Sequence, residues 1–321
     1  MSTPHAVVIV NPKSQGGAVG RRWPEIAEAI ARVMPFDDVQ TTGPGDATVL
    51  ARRALASGAD RIIALGGDGT VNEVISGFFD EQGQALSPEA TFGLLPYGTG
   101  GDFRRTMNIP RALADAARVI TSGQRRKIDV GRLSYRDSAG VARVRMFANI
   151  ASFGVSGVVD RLVNESGKKL GGKLSFALAT ARAAWSYKNQ RVELVFDGEA
   201  SSRVELTINT VAVANGRYFG GGMMVAPGAE VDDGRFDVVA MGDFGFGDLL
   251  RSGRRLYRGS HLTMDKVSHR RAQVVEAAPL DPGSVVELDV DGENLGRLPA
   301  RFELVPAAVW MAAPAHAAQG A

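Results

Sequence analysis

The sequence contains no cysteine, which excludes disulfides and thiolate metal sites and argues against a secreted, disulfide-stapled fold. It also lacks any uninterrupted apolar run near the roughly 18 residues that a membrane-crossing helix needs, so membrane contact, if made, is expected to be peripheral. Charge of one sign is scarce. Lys and Arg number 37 against 35 Asp and Glu, a formal net charge of +2, too little to mark a nucleic-acid binder, and no nucleic-acid partner is expected. The four histidines, His5, His261, His269 and His316, show no metal-ligand spacing. The apolar run Ala6 to Val10 lacks the basic start and longer hydrophobic region of a signal peptide and reads as a first strand. The cytoplasm is the expected compartment.

What is present is ordinary globular material. The chain has 321 residues, 45% hydrophobic and 22% charged, long enough for two cores. Up to about residue 128, apolar runs alternate with helix-period segments, the pattern of a parallel sheet covered by helices. Val7 to Val10, Arg61 to Leu65 and Thr91 to Leu95 are the strands. After Gly69, Val71, Val74, Ile75 and Phe78 follow the i, i+3, i+4, i+7 spacing of a helix. From about Asp129 the texture changes to short β-rich runs: Val130 to Tyr135, Val141 to Ala148, Arg191 to Phe196, Val204 to Asn215, Phe236 to Met241, Val285 to Val290 and Phe302 to Val305. That favours an antiparallel sandwich or barrel, interrupted by helices at Leu174 to Tyr187 and Phe246 to Tyr257. The expected organisation is an α/β domain over 1–128 followed by a β-rich antiparallel sandwich over 129–305.

The strongest local signal is IIALGGDGTVNEVISGF, with Gly66, Gly67 and Gly69 between an apolar strand and an amphipathic helix. Glycines there permit close backbone approach, so N–H groups of the turn and helix start can cradle phosphate oxygens. Asp68 would repel a polyphosphate unless it engages a cation or an attacking hydroxyl. A second glycine turn, LLPYGTGGDF, carries Thr99 and Asp102, and a third lies in VNPKSQGG. Three such turns at the carboxyl ends of successive strands would line one crevice, where open α/β sheets bind ligands. Two acid clusters follow in the second half, VDDGRFD at 231–237 and LDVDGEN at 288–294, each also readable as an Asp-Gly turn between strands.

In order along the chain, NPKS at 11–14, GGDGTVNEV at 66–74, LPYGTGGDF at 95–103, KIDVG at 127–131, PGAEVDDGRFDV at 227–238 and DVDGE at 289–293 resemble the successive motifs of the diacylglycerol kinase catalytic family. That family includes sphingosine and ceramide kinases. GGDG alone would be less specific, since NAD kinases and phosphofructokinases are similar there. The resemblance implies ATP as co-substrate, bound around Asn11, Pro12, Thr41, Gly66, Gly67, Asp68, Gly69, Thr70, Val71, Asn72, Gly98 and Thr99. It implies that the α/β domain, 1–128 with the chain end 306–321 returning to it, is nucleotide-binding, that the β-rich domain over 129–305 holds a lipid substrate, and that an acid in the D-G-E segment, Glu293 or Asp291, is the proton acceptor. It further implies magnesium, with Asp68 near the phosphates and a structural ion bound by the Asp233 carboxylate and backbone carbonyls near Glu230 and Arg235. Asp102 could join the Asp68 network. One departure stands out: Gly101 occupies a position where the family commonly has Asn.

Other motifs lead elsewhere. Gly167 to Lys173 approaches a Walker A loop, but Leu174 occupies the Ser/Thr position and no strand precedes it. Asp243-Phe244-Gly245 lacks the companion motifs of a protein kinase. Arg251, Arg254, Arg255 and Arg258 fall on one helical face, which reads as a solvated face before it reads as a lipid-headgroup contact. The leading expectation is an ATP-dependent lipid kinase making transient peripheral membrane contact. An NAD-kinase-like soluble enzyme and a non-catalytic nucleotide sensor are the alternatives.

Overall fold

A computed structural model describes residues 5–98, 101–137, 139–159 and 187–314. The chain divides into two compact units, Met1–Ile128 with Ala307–Ala321, and Asp129–Pro306. Thr99, the 167–173 loop, nearly all of the helix expected at Leu174 to Tyr187, and His316 lie outside the described residues.

The first unit is built on a parallel sheet. Strand β1 (Ala6–Val10) pairs with β2 (Asp37–Gln40) on one side and β3 (Arg61–Gly66) on the other, and β4 (Thr91–Pro96) follows β3. The end of β15 (Glu293–Ala312) closes the order as β15-β4-β3-β1-β2, with Trp310 opposite Thr91. Every residue of β1 is buried, and so is most of β3 and β4, as expected for strands covered on both faces. Helices α1 (Ser14–Arg21), α2 (Trp23–Ala31), α3 (Asp46–Ala56), α4 (Asp68–Ser76), α5 (Asp102–Thr106) and α6 (Leu113–Thr121) form the covering layers. In the β3/β4 register Arg61 lies opposite Thr91 and Gly66 opposite Pro96. Both glycine turns therefore leave the same edge of the sheet.

The second unit is a sandwich. One layer runs β12 (Val267–Ala272), β11 (Phe236–Met241), β10 (Thr210–Ala214), β7 (Ile150–Gly154), β14 (Glu287–Val290) and β15. The other joins β15 to β5 (Arg125–Arg136) with β6 (Ala142–Phe147), and to β13 (Val274–Pro279), β8 (Gln190–Phe196) and β9 (Val204–Ile208). The neighbours from β12 to β15 in the first layer, β5 with β6, and β15 through β13 and β8 to β9 pair antiparallel. Phe147 stacks on Phe236 at 5.7 Å and Phe153 on Phe302 at 5.9 Å inside one apolar core that draws on both layers. A second cluster, with Ile150, Ala212 and Val239 at its base, lies beneath helix α7 (Phe246–Arg258), whose Leu256 packs against it.

Candidate active site

Asn11 ends β1 and organises two turns at once. Its Nδ2 donates to Thr70 Oγ1 at 3.0 Å, while its Oδ1 accepts the Lys13 N–H at 3.0 Å. Pro12 follows and packs against Gly20, whose N–H donates to the Pro12 carbonyl. Thr41, after β2, is buried and its N–H donates to the Val10 carbonyl at 2.9 Å. Asn72 is fully buried within α4 beside Val71 and Thr70. The Asn11 side chain thus ties the end of β1 to the start of α4.

The turns approach one another closely. A Cβ on Gly98 would lie 2.8 Å from the Gly67 Cα, and one on Gly66 would lie 2.5 Å from Thr70 Oγ1. Only glycine fits at either point. The N–H of Tyr97 donates to the Gly66 carbonyl at 3.0 Å. Gly67 is the last residue before α4, which starts at Asp68 and continues through Gly69, so the positive end of that helix opens on the turns.

Asp68 bridges the first and second glycine turns. Its Oδ2 accepts the N–H groups of Gly101 and Asp102 at 2.9 and 3.2 Å, and its Oδ1 accepts that of Phe103 at 3.2 Å. Gly101 makes this possible with a left-handed backbone, φ 73°, and the Arg104 Nε lies 3.3 Å from where a Cβ would sit. A guanidinium covers the place where a side chain at 101 would begin. Asp102 turns away to pair with Arg105 at 2.5 Å.

These residues enclose a cavity of about 200 Å³ whose lining includes Gly66, Gly67, Asp68, Val71, Gly98, Tyr97, Arg104 and Arg111. That is smaller than the roughly 300–1,000 Å³ of a typical small-molecule pocket, a size suited to part of a nucleotide. Burial and the neighbouring Arg105 and Arg111 hold the Arg104 pKa below its ordinary value, a cluster of cations that an anion would relieve. Sequence reading missed Arg104 and Arg111. The available signal was a basic pair directly after a glycine turn. Asn11, Pro12, Thr41, Thr70 and Asn72 are not part of the cavity lining.

In the second unit, Asp291 sits at φ 49°. Its N–H donates to the Ile150 carbonyl at 3.1 Å and its Oδ1 accepts the Ile150 N–H at 3.0 Å. Glu293 pairs with Arg145 at 2.7 Å. Asp289, nearly buried, accepts the Gly292 N–H and the Ser152 hydroxyl at 3.0 and 2.9 Å. Strand alternation alone would set Asp289, Asp291 and Glu293 on one side, but the chain turns through left-handed backbone at Asp291 and Gly292, φ 49° and 88°, so the three acids do not share one strand face.

The implied metals fare differently. Asp68 Oδ1 receives a single N–H, so lone-pair capacity remains for a hard cation that also takes phosphate oxygens. The donor set at Glu230, Asp233 and Arg235 does not fit as it stands. The Asp233 carboxylate is paired with the Arg271 guanidinium and accepts the Arg235 N–H, so a protein cation already neutralises it. No cluster of three His, Asp or Glu side chains able to hold a metal occurs among the described residues.

Parallel α/β turns with a phosphate-sized cationic cavity, joined in one chain to a β-sandwich, define a phosphoryl-transfer class, and comparison with known proteins agrees. Residues 5–133 match the model of the diacylglycerol kinase catalytic domain, and residues 149–313 that of the YegS C-terminal NAD kinase beta sandwich-like domain. The diacylglycerol kinase of Bacillus subtilis is 30% identical over 263 residues, 82% of this chain and 80% of that one. The diacylglycerol kinase of Mycobacterium tuberculosis is 28% identical over 314 residues, 96% and 94% of the two chains. A crystal structure of a diacylglycerol kinase from Bacillus anthracis shares the fold, with a TM-score of 0.70 at 24% identity over 98% of each chain. The chain belongs to the diacylglycerol kinase catalytic-domain family, and it is a kinase.

Proposed function

We propose that the protein transfers the γ-phosphate of ATP to the hydroxyl of a lipid, with magnesium, at the cytoplasmic face of a membrane. The observation that carries this reading is the cavity at the glycine turns, which gathers backbone N–H groups, a helix N-terminus, two arginines and one carboxylate. Phosphoryl transfer needs such an arrangement, because positioning and electrostatic stabilisation supply nearly all of its rate. Gly66, Gly67, Gly69 and Gly98 admit the phosphates to the backbone. Asn11 and Thr70, bonded to each other, with Thr41 and Asn72 close by in sequence to the same strand ends, complete the proposed nucleotide site, and Thr99 belongs to the second turn in sequence. Asp68 would hold the magnesium ion together with phosphate oxygens, and when bound the ion supplies neutralisation of phosphate charge. The hydroxyl proton passes to Glu293 or Asp291, with Glu293 preferred because Asp291 is committed to the Ile150 backbone on both sides.

Diacylglycerol, a sphingoid base and other lipid alcohols are all candidate acceptors. No helix among the described residues is long and apolar enough to cross a membrane, which agrees with peripheral contact. The deciding test is incubation with radiolabelled ATP, magnesium and a total lipid extract, with labelled products identified by mass spectrometry. A phosphorylated lipid is expected. Labelling of NAD without labelling of any lipid, or ATP binding without transfer, would overturn the assignment.

A further inference from the structure

Helix α7 carries a surface that the reaction does not use. Its sequence FGDLLRSGRRLYR has four Arg and one Asp. The Asp248 carboxylate is taken by Lys266 at 2.8 Å and caps the Gly245 N–H at 3.1 Å. The helix ends where Gly259 adopts φ 69° and the Ser260 N–H donates to the Arg255 carbonyl at 2.9 Å. Leu256 turns inward against the second apolar cluster with Leu262, Met264 and Val267. At about 100° per residue, Arg254, Arg255, Tyr257 and Arg258 then share the opposite half of the helix. All four are exposed.

Two features coincide on this face. Arg254, Arg255 and Arg258 lie within five residues of one helix, all exposed and all without an ion-pair partner among the described residues. Tyr257, among these unpaired cations, is 55% exposed, above every other large hydrophobic residue on the described surface. The helix dipole favours cations in the last turn, but it neither calls for Arg254 nor exposes a tyrosine. A basic helix face flanked by an exposed aromatic ring matches a bilayer interface, where headgroup phosphates meet guanidinium groups and the ring sits at the headgroup level.

We infer that the outward face of α7, formed by Arg254, Arg255, Tyr257 and Arg258, docks on the anionic headgroup surface of a bilayer. This rests on the proposed function in one respect: an acceptor that resides in a membrane gives the kinase a reason to bind one. An anionic bilayer fits better than nucleic acid because the cationic patch is confined to one helix on a chain of net charge +2.

The test uses the full chain and vesicles of phosphatidylcholine alone or mixed in equal parts with phosphatidylglycerol, read by co-sedimentation without nucleotide. Wild type is expected to bind the anionic vesicles and not the neutral ones. Each basic side chain near an anionic surface strengthens binding by roughly fivefold, so the triple variant Arg254→Glu, Arg255→Glu, Arg258→Glu is expected to bind on the order of a hundredfold more weakly. Tyr257→Ser should weaken binding several-fold, while three Arg→Lys exchanges at the same positions retain it. Far-UV circular dichroism checks each fold, and Arg→Gln exchanges replace the charge reversal if that variant misfolds. Turnover on a water-soluble short-chain diacylglycerol should be unchanged in the triple variant. Loss of vesicle binding in that variant supports the docking face whether or not any lipid is phosphorylated, so failure of the kinase reading and failure of this one are read separately. Undiminished binding of the triple variant to anionic vesicles, or equal affinity of wild type for a single-stranded oligonucleotide lost in the same variant, would overturn it.

Discussion

Asp68 shows how much one side chain can be asked to do. The GGDG turn marks it in the sequence as a group near phosphates. What the sequence hides is that its carboxylate also receives three N–H groups from residues 33 to 35 positions away, contacts set by tertiary structure alone. Asp68→Ala is therefore expected to lower turnover by at least about a hundredfold, and also to destabilise the first unit by about 1–3 kcal/mol, because those N–H groups lose their acceptor. Steady-state kinetics and thermal melting read the two effects separately. A melt equal to wild type would remove the bridging role. The second acid pair is tested by amides of equal volume. Asn tolerates the left-handed backbone at position 291 and still accepts from Ile150, so Asp291→Asn should keep the fold. Glu293→Gln is expected to lower turnover by about a hundredfold or more with ATP affinity nearly unchanged. Near-normal rates for both amides on the identified lipid would place the base elsewhere. Arg271, paired with Asp233 from 38 residues away, is another partner invisible to local motif reading.

At the scale of elements, what could be read followed burial. Strands β1, β3 and β4 were legible because both their faces are covered, leaving continuous apolar runs between glycine turns. The single run expected from Val204 to Asn215 is two strands. It breaks at Asn209, whose N–H is shared between the Met241 and Gly242 carbonyls, where the chain leaves β8 for β7 and β11. β2 and β12 escaped notice because they are sheet edges, exposed and rich in charge. β7, with the sequence IASFG, escaped because small residues hide its complete burial. The close approach of the two glycine turns predicts the effect of a single methyl group. Gly98→Ala drives a Cβ to 2.8 Å from the Gly67 backbone, so the turns must part. ATP affinity measured by calorimetry is expected to fall at least about tenfold, roughly the 1.4 kcal/mol equivalent, and stability to fall by about 1–3 kcal/mol because the clash is with backbone. Unaltered affinity would mean that the two turns do not share the phosphates.

At the scale of the whole molecule, one buried histidine ties stability to pH. His261, in the second unit, is 1% exposed, and its Nε2–H donates to the Val225 carbonyl at 2.9 Å. Burial lowers its pKa. Above about pH 6.5 the ring is neutral folded or unfolded and contributes no pH dependence; below that the unfolded chain takes up a proton that the folded one resists, so stability falls as pH falls. The melting temperature is expected to drop by a few degrees between about pH 7.5 and about pH 5, and by less in His261→Gln. Equal drops would clear His261.

The long strand β15 carries a consequence for synthesis. It completes the first unit only at its far end, where Trp310 and Met311 pair with β4, and the 178 residues of Asp129–Pro306 lie between that end and the rest of the unit. A ribosome adding about 5–20 residues per second needs roughly 9–36 s to bridge that gap. Throughout it the apolar strand β4 stands as an open edge, the kind of edge on which another chain can add a strand. Nascent chains arrested before Ala307 are accordingly expected to be captured by chaperones or to aggregate, and a Lys placed at Phe92 or Leu94 would relieve that hazard only by ruining the finished core. The newborn enzyme waits for its last strand.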